Sequence, residues 1–96
     1  MSSAYIIANV KVTDAQQYEE YKQWSSVAMQ IHGAQVCVRG GKVEVIEGDW
    51  QPDRVVLLKF PNLEAAKKFE SSAEYARARA ARQGAAEMRM VVVEGV

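Results

Sequence analysis

A chain of 96 residues makes one domain with a modest core, and 49% apolar with 25% charged residues is ordinary globular usage. Its 12 basic side chains balance 12 acidic ones, so no net field holds a polyanion and nucleic acid is not an expected partner. A single cysteine, Cys37, and a single histidine, His32, exclude an internal disulfide and a structural zinc set, and neither metal nor cofactor is expected.

The first three residues lack a leader pattern, and no apolar run approaches ~18 residues, so a soluble cytoplasmic protein without membrane contact is expected. Ala4–Val12 is rich in β-branched residues and predicts a strand. Asp14 with Gln17 is a capping-box pair that opens a helix. Tyr18, Tyr21, Trp24, Val27, Ala28 and Ile31 recur at three- and four-residue spacing along it, one apolar face. Gly33 suits the left-handed position that closes a helix. Residues 35–47 then read as strand on both sides of Gly40-Gly41. Glycine inside a strand marks a bulge or bend, which would let this strand reach the edge of a second copy. The other reading is a Gly-Gly hairpin between residues 36–39 and 42–47. Residues 54–60 predict the next strand. Pro61 ends it, and Asn62 caps a helix carrying Leu63, Ala66 and Phe69. Ser71 with Glu74 reads as a second capping box, with a helix from about Ser72 to Gln83 before Gly84. Residues 87–94 predict the last strand.

A faint repeat supports this order. Lys11-Val12-Thr13-Asp14 precedes Lys59-Phe60-Pro61-Asn62 by 48 residues, half the chain, and Tyr21 then corresponds to Phe69. The pattern is β-α-β-β-α-β with a short extra helix. That is an α+β, ferredoxin-like antiparallel sheet with its helices on one face. Ile6, Ala8, Val10 and Val12 share one strand face, as do Val56, Leu58 and Phe60, and these should meet the helices. The opposite face carries Tyr5, Ile7, Val55, Leu57, Val91 and Val93. A sheet face left to water should be polar. A homodimer packed through the helix-free face, a dimeric α/β barrel, is therefore expected.

The residues also carry a family resemblance. "AYIIANVKVTD", "YEEY", "VRGGKVEVIEGDW" with "PDR" after it, "FPNLEAAKKF", "SAEY", Arg82 and the terminal "VVVEG" together resemble the DUF1330 family of small bacterial proteins, over essentially the whole chain. Cys37 stands where the family pattern implies a larger apolar or aromatic residue. The resemblance implies a dimeric α/β barrel and no settled function. Related barrel families include cofactor-free monooxygenases, heme-degrading enzymes and isomerases, and fold alone does not carry function across.

No nucleotide loop, metal set or nucleophile triad is present in the sequence. Arg39 and Arg54 flank the conspicuous glycine segment. Each suits a two-pronged grip on a carboxylate, against the plainer reading of an ion pair with Glu44 or Glu47. Glu47 is the leading carboxylate for acid–base work, on the expectation that it is partly buried near Trp50. Trp50 reads as a pocket wall or a dimer anchor. Tyr75, Arg79 and Arg82 share one helix face and would converge on a polar ligand, while Arg77 reads as solvated. His32, at a helix end, reads as a base or as a favourable terminal contact. Tyr18, Tyr21 and Trp24 read as core with some pocket lining. Cys37 reads as a small buried strand residue. The functional expectation is a site for a small polar or anionic molecule held by Arg39, Arg54, Arg82, Tyr75 and Trp50. Glu47 or His32 would serve any cofactor-free proton transfer or oxygen chemistry. The alternative is a non-catalytic dimer that binds a metabolite or a protein.

Overall fold

The computed structural model describes residues 2–96, and Met1, at the head of the segment without a leader pattern, lies outside them. The elements run β1 (Ala4–Val12), α1 (Ala15–Ile31), β2 (Gln35–Arg39), β3 (Arg54–Phe60), α2 (Leu63–Glu70), α3 (Ala73–Ala81) and β4 (Ala86–Glu94). The four strands form one antiparallel sheet in the order β2-β3-β1-β4. With the helices over one face, this is the ferredoxin-like α+β arrangement.

Strand parity holds. Ala4, Ile6, Ala8 and Val10 are buried, and β3 sets Phe60, Leu58 and Val56 opposite Ala4, Ile6 and Ala8. Val92, Met90 and Met88 of β4 lie opposite Ile6, Ala8 and Val10 on the same face. α2 packs on β1, β3 and β4, while α1 packs on α3. Phe69 of α2 bridges the two layers, with ring centroids 5.3 Å from Phe60 and 4.9 Å from Tyr75.

The caps explain where the helices begin and end. Asp14 and Asn62, 48 residues apart in sequence, each accept a hydrogen bond from the backbone N–H three residues on. Gln17 does not reach back to complete the capping box. Its amide instead donates to the carbonyls of Ala81 and Gln83, tying the start of α1 to the end of α3. Gly33 adopts φ +69°, and the N–H groups of Gly33 and Ala34 bond the carbonyls of Gln30 and Met29 to close α1. The cap of α3 is Ser72 rather than Ser71, because it is Ser72 Oγ that accepts from the N–H of Tyr75. Glu74 turns away to His32.

Three expectations need correction: the apolar stripe of α1, the strand over residues 35–47 and the burial of Cys37. The buried stripe of α1 is Tyr18, Tyr21, Ser25, Ala28 and Met29, whereas Val27 and Ile31 are 47% and 59% exposed and Trp24 is half-buried. The seam runs through the small Ser25, which an apolar count passes over in favour of the helix flank. The second concerns residues 35–47. Only residues 35–39 pair in the sheet. Residues 40–53 form an irregular arm outside the sheet, carrying Ile46 at 98% exposure. The hairpin reading fails, because residues 42–47 pair with no strand among the described residues. The bulge lies earlier, at Cys37, between the pairs Val36–Leu58 and Val38–Leu57, and it leaves Cys37 exposed. The chain bends out of the sheet at Gly40, with φ +74°.

Candidate functional site

Between α1 and the sheet the packing leaves a cavity of about 20 Å³, room for about one water. Its floor is Ile6, Ala8, Val10, Val56 and Leu58 of the sheet, and its roof is Tyr18, Tyr21, Ser25 and Met29 of α1. Phe69 and Tyr75 close it from α2 and α3. Met29, Met88 and Met90 give it three flexible thioether walls. Methionine changes rotamer at little cost, so such a cavity can widen around a guest.

Three cations stand on the wall: Lys22 of α1, which pairs with Glu19, Arg39 from the end of β2 and Arg54 from the start of β3. The antiparallel register puts these strand ends side by side, with Arg39 opposite Val56. Arg39 donates to Ser26 Oγ at 2.8 Å and to the carbonyl of Lys22 at 3.4 Å, which leaves it anchored but open. The guanidinium of Arg54 lies 5.7 Å from the centre of the Tyr18 ring, and its buried Nε–H has no acceptor among the described residues. The salt bridges found there are Lys22–Glu19, His32–Glu74, Lys42–Glu44 and Arg79–Glu70. Neither Glu44 nor Glu47 pairs with Arg39 or Arg54, because the arm holding both glutamates does not fold back across the strands.

At the inner end, the hydroxyls of Tyr21 and Tyr75 share a hydrogen bond of 2.9 Å. Tyr75 Oη also lies 3.8 Å from Met88 Sδ, a weak acceptor. Burial, reinforced by the neighbouring Tyr75 and Tyr18, pushes Tyr21 far above the ordinary phenol value despite an opposing pull from Arg82. Tyr21 is thereby held neutral, a hydrogen-bond donor and not a base. The wall holds no carboxylate and no imidazole.

Arg39, Arg54 and Tyr75 thus come together with Tyr18 and Tyr21, whereas Trp24, Arg82, Arg79, Glu47, Trp50 and His32 do not join them. Arg82 stacks at 5.7 Å on the ring of Tyr21, off the cavity wall, with its Nε buried and unpartnered among the described residues. Arg79 lies over Tyr75 at 5.1 Å and pairs with Glu70. Arg77 lies 5.1 Å from the Trp24 ring. Glu47 is exposed on the arm, contrary to the expected partial burial, because the strand that was to shelter it does not form within the chain. Trp50, 66% exposed, sits with Asn9, Asp53 and Arg89, residues of a different surface from the cavity wall. His32 caps α1 and has a partner after all, with Nε2 2.7 Å from Glu74 Oε1. That hydrogen bond holds the Glu74 carboxyl below its ordinary range. The sequence reading missed Ser25, Met88 and Met90. The alternation of Met88 and Met90 on β4, opposite Val10 and the small Ala8, was the available signal.

Residues 3–96 match the family described as Domain of unknown function (DUF1330). The chain belongs to this family. No curated protein sequence matches the chain. Solved structures are similar to this DUF1330 domain in fold. A protein of unknown function from Rhodopseudomonas palustris matches with TM-score 0.75 and 19% identity, over 99% of this chain and 83% of its own. The cofactor-independent oxygenase SnoaB from Streptomyces nogalater matches with TM-score 0.66 and 9% identity, over 97% and 92%. A dimeric protein of unknown function and ferredoxin-like fold from Bacteroides fragilis NCTC 9343 matches with TM-score 0.59 and 13% identity, over 96% and 95%.

Proposed function

We propose that this DUF1330 protein is a homodimer whose subunits each bind a small organic anion with an apolar body. The observation that carries the reading is Arg54. A partly buried guanidinium with an unpartnered Nε–H, above an apolar cavity and without a carboxylate partner, is expensive unless an anion completes it. Arg39 beside it supplies a second charge. The methionine and tyrosine walls suit a flat apolar body, and the Tyr21–Tyr75 pair offers a donor to an oxygen at its far end.

Binding without turnover is favoured over acid–base catalysis by the cavity wall itself, which carries neither a carboxylate nor an imidazole to serve as a base. Oxygen chemistry on a self-activating substrate is the second reading. It is favoured by the likeness in fold to SnoaB, described as a cofactor-independent oxygenase. Under that reading Arg39 and Arg54 position the substrate, and Glu47 enters the site only if a second copy's arm brings it there. His32 stays off the cavity wall, bonded to Glu74 and separated from the cavity by Phe69, whose ring centroid lies 6.1 Å from its own.

The dimer rests on the helix-free face and the arm. Tyr5, Ile7, Val55 and Leu57 line that face, with Val91 and Val93 at 60% and 46% exposure. The arm adds Ile46 and Trp50. A second copy covers both at once, and the Bacteroides fragilis protein of this fold is described as dimeric.

Two measurements test these readings. Native mass spectrometry should give a doubled mass, reduced to one chain by Leu57→Lys, and a wild-type monomer at micromolar concentration would refute the dimer. Calorimetric titration should show binding of benzoate but not of neutral benzyl alcohol. Arg54→Met should weaken benzoate at least about tenfold, the scale of one charge-assisted hydrogen bond. Equal binding by the variant and the wild type would overturn the anion site.

A further inference from the structure

We infer that Gly40 is a positioning residue for the anion site: its missing side chain is the space that the Arg54 guanidinium occupies. This rests on the proposed role of Arg54 and extends it to a residue that touches no ligand. The chain bends out of the sheet at Gly40 with φ +74°, while its N–H still donates to the carbonyl of Val55 at 2.9 Å. That bond fixes the glycine against the strand that carries Arg54. A Cβ at position 40 would run into Nη1 of Arg54 and lie 2.6 Å from Cζ and 3.1 Å from Nη2. No other group is met as closely, so the guanidinium, the mobile end of a long side chain, is what gives way. It would leave the cavity mouth. Gly41, the second half of the pair, meets nothing within 4 Å. The two adjacent glycines therefore have different tasks, and only the first is bound to the site.

Gly33 supplies the control for backbone strain. It has a similar φ, +69°, with nothing within 4 Å of an added Cβ. Gly33→Ala and Gly40→Ala carry the same left-handed penalty, and only the second displaces Arg54. The experiment compares wild type, Gly33→Ala, Gly40→Ala, Gly41→Ala and Arg54→Met in the intact chain. The first readout is the Nε–H resonance of Arg54 in the ligand-free protein, a signal from a proton shielded from water. It should persist in Gly33→Ala and Gly41→Ala and shift or exchange away in Gly40→Ala. The second is benzoate affinity, which Gly40→Ala should lower about tenfold, as Arg54→Met does, while the other two glycine variants stay within about twofold of wild type. Thermal midpoints should fall alike in Gly33→Ala and Gly40→Ala. Where Gly40→Ala unfolds, Gly40→Ser read at reduced temperature serves in its place. An unmoved Arg54 resonance in a folded Gly40 variant overturns the inference whatever binds. A displaced resonance with benzoate binding intact in Arg54→Met overturns the anion site and leaves the positioning of Arg54 standing.

Discussion

Tyr75→Phe deletes one oxygen from the centre of the molecule. Tyr75 is 2% exposed, and its hydroxyl is the 2.9 Å partner of Tyr21, itself 5% exposed. The phenylalanine ring keeps the 4.9 Å packing on Phe69, so little cavity is created. What is lost is the partner of a buried hydroxyl. An orphaned polar group costs about 1–3 kcal/mol, and about 2 kcal/mol lowers the Tm of a domain this size by about 8–16 °C. Removing both oxygens leaves nothing orphaned. Tyr21→Phe combined with Tyr75→Phe should therefore be more stable than either single variant. Thermal unfolding of the four proteins, followed by circular dichroism, closes the cycle. Additive losses, or a single variant that melts with the wild type, would refute a dry hydroxyl pair. Absorbance titration gives a second check. Burial keeps Tyr21 neutral well above the ordinary phenol value, so fewer than the four tyrosines should ionise while the fold holds. Because the folded value is raised, stability is full below pH about 10 and declines as pH rises beyond it.

Ser72→Ala should lower stability by about 1 kcal/mol through loss of the α3 cap, and Ser71→Ala by less than half of that; equal losses in chemical denaturation would return the cap to Ser71. Glu74→Gln should be slightly less stable than wild type at pH about 6, with the gap closing as pH falls through the ordinary carboxylate range at about 4. The sign follows from the carboxyl being held low by His32, so that its contribution is present above that range and lost on acidification. The effect is small because the Glu74 side chain is 38% exposed, and a gap independent of pH would refute the pairing.

Much of the fold was legible because the local signals are strong and agree with one another. Asp14 and Asn62 cap at equivalent places in the two halves, Gly33 closes α1, and the alternation through β1 and β3 sorts the two sheet faces without error. Failures came where a neighbour decides between readings that are locally equal. Ser71 and Ser72 both offer a hydroxyl before an apolar run. Only the path of the chain puts Ser72 Oγ under the N–H of Tyr75 and leads Glu74 to His32. Along α1 the stripe through Trp24 and Ile31 is more apolar than the one through Ser25. Packing chose the latter, since that side faces the sheet across the cavity.

The arm shows the same limit on a larger scale, and it bears on the site. Residues 42–47 have the alternation of a strand, and alternation reports which faces a segment would offer, not whether an edge is there to receive it. Within this chain the segment joins neither edge of the sheet, so Glu47 and Trp50 lie away from the cavity that their sequence neighbours Arg39 and Arg54 line. Those arginines were legible as a pair because both sit at the ends of adjacent strands, where register brings them together. The space beside them was not, since volume depends on how far a helix rides above a sheet. The sequence trace of that space is a set of residues that fill without fixing: Ala8 and Ser25 where larger side chains would close the gap, and Met29, Met88 and Met90 where rigid ones would set its shape. Small and flexible residues converging beneath two arginines are the pattern of a cavity shaped by its guest, with the charge at its mouth selecting which guest enters.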